Sequence, residues 1–166
     1  MFKIWRRKRL LNKVYSFAKQ KHITLPKNPY GHVFVFGSNL KGWHDGGAAR
    51  FALMNYGAKD GVAQGPTGNA YAIPTLDANL NQLDLLHLGG FVFEFKKEAE
   101  TNPNVTYHLT PIGLGIAGYD VRDIAPMFLT MPKNVILPIE FQEFFLKDWY
   151  WYADFFKDEA KNAKNK

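Results

Sequence analysis

The residues of this chain that are best suited to bind a ligand lie in two glycine-rich loops. Each loop is entered from a predicted strand and leads into a predicted helix, and the two segments span residues 33–50 and 106–120. Glycine allows the backbone to approach a ligand closely, and a helix N-terminus offers unpaired N–H groups to an anion. The pair predicts a ligand with two phosphates, such as a nucleoside diphosphate. The alternative is that both loops are tight strand-to-helix turns that bind nothing.

In the first loop, the Asn39 amide can hydrogen-bond a ribose hydroxyl or a carbonyl, and Gly46-Gly47 can present backbone amides to a phosphate. In the second loop, the glycines at positions 113, 115 and 118 can form a concave nest of amides for another phosphate. Tyr119 follows this nest and is predicted to stack on a sugar or a base. Both loops are expected at the carboxyl edge of a parallel sheet, where ligands of α/β proteins bind.

The sequence lacks the residues or the spacings that other common catalytic and binding motifs require. Gly113-x-Gly115-x-x-Gly118 has the letters of a dinucleotide fingerprint, but no βαβ unit follows it, and Glu140 lies after a proline beyond the next strand. The chain has no Gly-Lys-Ser/Thr loop, and Ser38 lacks the Gly-x-Ser-x-Gly elbow of hydrolases. The five histidines show no metal-ligand spacing, and there is no cysteine. We therefore expect neither a metal nor another cofactor.

Positive charge is concentrated at the N-terminus. Residues 1–28 hold nine of the 21 basic residues and no acid, whereas the remainder has a net charge of −3. Apolar residues at helical spacing predict an amphipathic helix over residues 3–20. The cationic face predicts either contact with nucleic acid or a docked terminal helix whose charges face water.

Strands and helices alternate along the rest of the chain. This order predicts an α/β protein with a mixed, largely parallel sheet covered by helices on both faces. The predicted strands are residues 32–36, 71–74, 105–109 and 134–137. The predicted helices are residues 48–55, a longer helix with Leu88, Phe91 or Val92, Phe95 and Ala99 on its apolar side, about ten residues capped by Asp120 or Asp123, and residues 141–156.

Three regions are expected along the chain. Residues 1–28 form the basic arm, residues 29–140 the ligand-binding domain, and residues 141–166 an aromatic helix with a polar tail, packed on the same domain. The aromatic density of the last region offers self-association as an alternative. The apolar runs are too short to cross a bilayer, and the basic N-terminus lacks the apolar stretch of a secretory signal. We expect no membrane contact and a cytoplasmic location.

The order of strand, Phe-Gly-Ser-Asn-Leu, Gly-Gly-Ala-Ala helix, strand and Thr-Pro-Ile-Gly-Leu-Gly-Ile-Ala-Gly-Tyr resembles the macro domain, in its divergent bacterial and phage branch. The resemblance covers about residues 31–138 and implies a three-layer α/β/α sandwich that binds ADP-ribose or a derivative. It makes Asn39 the distal-ribose asparagine and places Tyr119 near the distal ribose. The ligand-binding residues then implied are Gly37, Ser38, Asn39, Gly46, Gly47, Ala48, Pro111, Ile112, Gly113, Leu114, Gly115, Ile116, Ala117, Gly118 and Tyr119.

Departures from the macro-domain pattern bear on catalysis and on base recognition. Where hydrolytic macro domains carry an aspartate ten residues after the asparagine, this chain has Ala49, and residues 1–44 contain no acid for recognition of adenine. For hydrolysis of an ADP-ribosyl linkage, the candidate catalytic residues are Asp45, to position or activate water, and His44, as an alternative acid or base. The competing expectations are a non-catalytic reader of ADP-ribosylated targets and a nucleic-acid-binding protein that acts through its basic arm.

Overall fold

A computed structural model describes residues 2–20, 23, 25, 30–148, 157–158 and 161–162. The elements are, in chain order, α1 (Phe2–Val14), β1 (Ser16–Ala18), β2 (His32–Asn39), α2 (Gly47–Asn55), β3 (Gly65–Thr67), β4 (Ala70–Leu76), α3 (Leu85–Thr101), β5 (Thr106–Leu109), α4 (Val121–Ile124), a 3-10 helix (Ala125–Phe128), β6 (Val135–Pro138) and α5 (Ile139–Lys147).

The strands form a six-stranded sheet in the order β1-β6-β5-β2-β4-β3. Strand β2 is central, and it pairs in parallel with both β4 and β5. Strands β5 and β1 pair in parallel with β6, whereas β3 is antiparallel to β4. The predicted mixed, largely parallel sheet is confirmed. Because the chain visits β4 and β5 on opposite sides of β2, a crevice is expected at the carboxyl end of β2.

Side chains of β2 alternate between two apolar layers, which explains its continuously hydrophobic sequence. Phe34 and Phe36 face α2, where they pack with Ala52 and Tyr56. Val35 faces the opposite layer, which contains buried side chains of α1, α3 and α5. Complete burial of each of these β2 side chains contributes roughly 1.5–3 kcal/mol to folding. The sheet therefore lies between two helical layers, as predicted for an α/β/α sandwich.

Helix α3 follows its predicted amphipathic pattern. Leu88, Val92, Phe95 and Ala99 recur at spacings of three and four residues, and all four are buried. The helix begins after Asp84, whose carboxylate accepts a hydrogen bond from the His87 backbone N–H at 2.9 Å. Val92, rather than Phe91, occupies the buried position of the predicted pair.

The N-terminal segment differs from the predicted helix over residues 3–20. Helix α1 ends at Val14, and Ser16–Ala18 forms an edge strand that pairs with β6. Leu11 and Tyr15 are buried in the same apolar layer as α3 and α5. Residues 16–18 adopt a strand conformation because pairing with β6, more than 100 positions away, satisfies their backbone N–H and C=O groups.

Three further elements differ from expectation. Residues 61–68 are rich in glycine and proline, and they contain the short strand β3, which is not among the predicted strands. Pro66 is tolerated there because β3 lies at the sheet edge. The helix capped by Asp120 has only four residues before it tightens into a 3-10 helix with Pro126 in its first turn. Helix α5 begins at Ile139 and ends at Lys147, and the rest of the predicted aromatic helix, including Trp151 and Phe155, lies outside the described residues.

None of the helices in the described part is long and apolar enough to cross a membrane.

A pair of histidines links the central strands at the end opposite the glycine loops. His32 Nδ1 lies 3.0 Å from His108 Nε2, across β2 and β5. Burial, assisted by the neighbouring His32, lowers the pKa of His108 to about 4. Since an unfolded histidine titrates near pH 6.5, the unfolded chain gains a proton first as the pH falls.

We therefore expect the free energy of unfolding to decrease as the pH falls from about 6.5 to about 4. The variant His108→Asn should lack this part of the pH dependence. At pH 5 this contribution is about 1 kcal/mol, after a discount for partial exposure of the imidazole. Urea denaturation of the wild type and of His108→Asn at pH 7.5 and pH 5 measures it. Equal pH dependence in the wild type and in His108→Asn would contradict the prediction.

Candidate functional site

The two glycine loops meet over a cavity of about 740 Å³ at the carboxyl ends of β2, β4 and β5. A Cβ added to Gly46 would lie 4.0 Å from Ile116 Cδ1, so the loops approach each other across the opening. The pairing of β2 with β4 shifts by one residue between Ser38 and Asn39, which loosens the sheet there. The lining residues are Gly37, Ser38, Asn39, Trp43, Asp45, Gly46, Gly47, Ala48, Ala49, Phe51, Thr75, Leu76, Leu80, Thr110, Pro111, Ile112, Gly113, Leu114, Gly115, Ile116, Ala117 and Glu140.

Asn39 fixes the shape of the first loop. Its Oδ1 accepts a hydrogen bond from the Trp43 backbone N–H at 3.1 Å, and its Nδ2 donates to the Trp43 carbonyl at 2.8 Å. The turn between them is closed by Gly42, whose φ is +70° and whose Cα packs against the backbone of Gly61. One Nδ2 hydrogen and one Oδ1 lone pair of Asn39 have no partner among the described residues.

The N-terminus of α2 faces the cavity without a side-chain cap. Its N-cap is Gly46, and no side chain there accepts a hydrogen bond from the first turn. The first internal hydrogen bond of this turn joins the Arg50 N–H to the Gly46 carbonyl at 3.2 Å. The N–H groups of Gly47, Ala48 and Ala49 therefore have no helical acceptor, and they carry the positive end of the helix dipole.

The second loop leaves several backbone donors unused. The Gly118 and Tyr119 N–H groups donate to the Gly115 and Gly113 carbonyls at 3.0 and 2.9 Å, which folds the loop back on itself. The N–H groups of Gly115, Ile116 and Ala117 have no acceptor among the described residues. Gln82 Nε2 donates to the Ala117 carbonyl at 2.8 Å and holds the loop from the β4 side. The three adjacent residues 115–117 line the cavity, and a concave run of unpaired backbone N–H groups is an arrangement that suits an anion.

Gly113 has a packing role within this loop. Its φ is +74°, and a Cβ there would overlap Ile124 Cδ1 and lie 2.9 Å from the Tyr119 ring. The residue therefore needs glycine both for its backbone conformation and for the close approach of α4. Gly118, which also has a positive φ of +70°, turns the chain but does not line the cavity.

Tyr119 does not lie where a stacking residue is needed. The side chain is 8% exposed and belongs to the apolar layer of α3 and α5. Its hydroxyl lies 3.0 Å from the Thr75 carbonyl and 2.5 Å from the Leu83 carbonyl. Burial raises the pKa of Tyr119 to about 12. Tyr119 thus connects the second loop to β4 from within this apolar layer, and it does not line the cavity.

The two candidate catalytic residues point in different directions. Asp45 lines the cavity with an exposed side chain, and its carboxylate makes no hydrogen bond or ion pair within the described part of the chain. His44 is 1% exposed and packs edge-on against Phe36, with 5.1 Å between ring centroids. Neither His44 ring nitrogen has a described partner, and the residue does not line the cavity. Of the two, only Asp45 is placed to reach a bound ligand.

The charged side chains on the cavity wall are Asp45 and Glu140, both acidic. Because the described lining residues include no lysine or arginine, an anion in the cavity would be held by backbone N–H groups. No group of three or more histidine, aspartate or glutamate side chains in the described residues can hold a metal ion.

Several wall residues were not among those implied by the sequence. Thr75 and Leu76 come from the end of β4, and Thr110 follows β5. Their position after neighbouring parallel strands was the available signal. Glu140 follows β6 in the same way, but the sequence does not show that β6 adjoins β5.

Comparisons with known proteins add evidence for the fold. No family model matches the chain, and no curated protein matches it. A solved structure described as a protein of unknown function from Bacteroides thetaiotaomicron aligns with a TM-score of 0.53 and 9% identity, over 75% of this chain and 97% of that chain. At this identity the similarity supports the α/β architecture alone.

Proposed function

We propose that this protein binds ADP-ribose or an ADP-ribose-derived nucleotide in the cavity between the two glycine loops. The observation that supports the proposal best is the convergence of two sets of unpaired backbone donors on one cavity: the first turn of α2, and Gly115, Ile116 and Ala117. A diphosphate between them would meet both sets. The volume of about 740 Å³ lies within the usual range for small-molecule sites. We also propose a cytoplasmic location for the protein.

Calorimetric titration with ADP-ribose tests this proposal. We expect micromolar binding by ADP-ribose and at least roughly tenfold weaker binding by AMP, because AMP has one phosphate and cannot meet both donor sets. ADP tests the contribution of the second ribose, which the Asn39 side would contact. Absence of heat and of a thermal shift at millimolar ADP-ribose would reject the proposal.

Hydrolysis of an ADP-ribosyl linkage is the catalytic form of the proposal. Asp45 would orient a water molecule for attack on the ribose C1, the bond from C1 to the linked group would break, and the proton from water would end on the leaving group. Ala49 contributes no carboxylate to the wall, which leaves Asp45 as the acid on the α2 side.

We expect Asp45→Asn to lower turnover of an ADP-ribosylated substrate about 100-fold or more and to leave ADP-ribose affinity within about threefold. Asp123→Asn, an exposed acid on α4, is the matched control. Release of ADP-ribose is measured by chromatography in a single-turnover assay. Full turnover in Asp45→Asn would remove Asp45 from the mechanism, and binding without turnover by the wild type would favour the reader function.

Helix α1 supports nucleic-acid binding as a second candidate function. It carries six basic residues and no acid, and Phe2 and Trp5 are 76% and 58% exposed. The Arg9 guanidinium lies 5.6 Å from the Trp5 ring centroid. Cations beside an exposed aromatic ring suit a single strand, in which bases stack and phosphates need neutralisation.

Substitution is a sharper test of this second function than deletion, because deletion of the arm would also remove the buried Leu11 and strand β1. For a labelled single-stranded oligonucleotide, the double variant Lys3→Gln/Lys8→Gln should reduce the slope of log K against log salt by about 1.4. Lys97→Gln/Lys133→Gln is the control of equal charge change. Wild-type binding that does not respond to salt would reject the function.

A further inference from the structure

The Gln82 side chain holds the second glycine loop on the side of β4. Its Nε2 donates a hydrogen bond of 2.8 Å to the Ala117 carbonyl, although Gln82 itself is exposed and does not line the cavity. An exposed glutamine loses conformational freedom in such a contact, and one neutral hydrogen bond at the surface roughly balances this loss. The contact therefore contributes little to the stability of the fold, and its effect falls on the loop.

The Ala117 carbonyl belongs to the turn that carries the unpaired backbone donors. This turn spans residues 115–118, and the hydrogen bond from the Gly118 N–H to the Gly115 carbonyl closes it at 3.0 Å. The Ala117 carbonyl and the Gly118 N–H are the two ends of one planar peptide unit. Gln82 therefore fixes the carbonyl end of this unit, and Gly115 fixes its N–H end.

Glycine at position 118 allows this peptide unit to rotate when its carbonyl is not held. Gly118 has a φ of +70°, and glycine adopts positive and negative φ about equally readily. Rotation by half a turn would make this φ negative and would move the Gly118 N–H away from the Gly115 carbonyl. The turn would then open, and the three unpaired N–H groups of residues 115–117 would lose their fixed arrangement at the cavity wall.

Gln82 can hold the loop because its own backbone is attached to β4. Leu76, the last residue of β4, forms an antiparallel bridge with Gln82. The Asp77 carboxylate closes the loop between them, since it accepts hydrogen bonds from the Asn79 and Asn81 N–H groups at 2.8 and 2.9 Å. The support on the β4 side is thus a closed loop.

The residue after Gln82 holds the other end of the second glycine loop. The Leu83 carbonyl accepts a hydrogen bond from the Tyr119 hydroxyl within the apolar layer. The loop therefore has a buried attachment at Tyr119 and an exposed one at Ala117. Loss of the Gln82 hydrogen bond leaves the buried attachment in place, so only the turn at residues 115–118 is released.

We propose that Gln82 is a positioning residue for the ligand diphosphate, which it serves by fixing the peptide unit between Ala117 and Gly118. The inference rests on the proposed binding of an ADP-ribose-type ligand. Donors that are already arranged in the free protein lose little freedom when the ligand binds, so their fixation increases affinity. Gln82 acts through the backbone of the second loop and does not contact the ligand.

Calorimetry and thermal melts of Gln82→Met test this role. Methionine has nearly the length of glutamine and carries no donor, so it removes the hydrogen bond without adding charge. We expect ADP-ribose affinity to fall by about fivefold to tenfold, with a melting temperature within about 1 °C of the wild type. Asn81→Leu, which replaces the amide of an exposed neighbour in the same way, should behave as the wild type.

Amide NMR spectra of the free protein give a readout that a general loss of stability does not produce. In Gln82→Met the resonances of residues 115–118 should shift or broaden, because the released peptide unit exchanges between two orientations. The resonances around Asn39, in the first loop, should keep their wild-type positions. Unchanged resonances at residues 115–118 would overturn the positioning role.

The outcomes separate this inference from the function on which it rests. Equal ADP-ribose affinity of the wild type and Gln82→Met would overturn the role of Gln82 and leave the binding function intact. A fall in melting temperature of several degrees in Gln82→Met would also overturn it, because Gln82 would then support the fold as a whole. Failure of the wild type to bind ADP-ribose would overturn both.

Discussion

Gly115→Asp should lose ADP-ribose binding by at least about 100-fold while it keeps wild-type stability. The new carboxylate would stand beside the unpaired N–H groups of Gly115, Ile116 and Ala117, where the proposal places a phosphate. A unit charge about 4 Å from a phosphate charge costs on the order of several kcal/mol near a protein surface. Calorimetry measures the loss of affinity, and a thermal melt measures stability.

The same position offers a control that separates charge from volume. A Cβ at Gly115 would meet no atom within 4 Å, and its backbone is not in the left-handed region. Gly115→Ala should therefore fold normally and bind ADP-ribose within about threefold of the wild type. If Gly115→Asp binds as tightly as Gly115→Ala, the ligand phosphates do not contact this loop.

The predictable part of the fold came from local patterns with several repeats. The apolar stripe of α3 and the continuous apolar run of β2 carry enough residues to reveal their periods. Strands β1 and β3 have three residues each, and their formation depends on pairing with β6 and β4. No local pattern can encode such distant partners.

The site was predictable in position but not in the direction of single side chains. Parallel strands bring both glycine loops to one edge, and this rule predicts where Asn39 and Gly115 lie. Whether a side chain beside a loop points into the cavity depends on packing. Tyr119 points beneath the loop and His44 points toward Phe36, although Asp45, the neighbour of His44, lines the cavity.

Gly113→Ala should destabilise the fold by about 2–5 kcal/mol. The left-handed φ of +74° costs an L residue roughly 1–2 kcal/mol, and overlap with Ile124 and the Tyr119 ring adds roughly 1–3 kcal/mol. For a domain of this length, each kcal/mol lowers the melting temperature by about 2–4 °C. Urea denaturation gives the free energy of unfolding, and Gly115→Ala is the control in the same loop.

Comparison of Gly113→Ala with Gly115→Asp distinguishes a residue that maintains the loop conformation from a residue that contacts the ligand. Gly113 contacts Ile124 and Tyr119, and the Tyr119 hydroxyl is bonded beneath β4, so an added methyl group moves the loop and α4 apart. Gly113→Ala should thus lower stability first and affinity only as a consequence. Gly115→Asp should lower affinity alone. If Gly113→Ala is as stable as Gly115→Ala, the close approach of α4 does not constrain the loop, and the need for glycine at position 113 must come from the ligand.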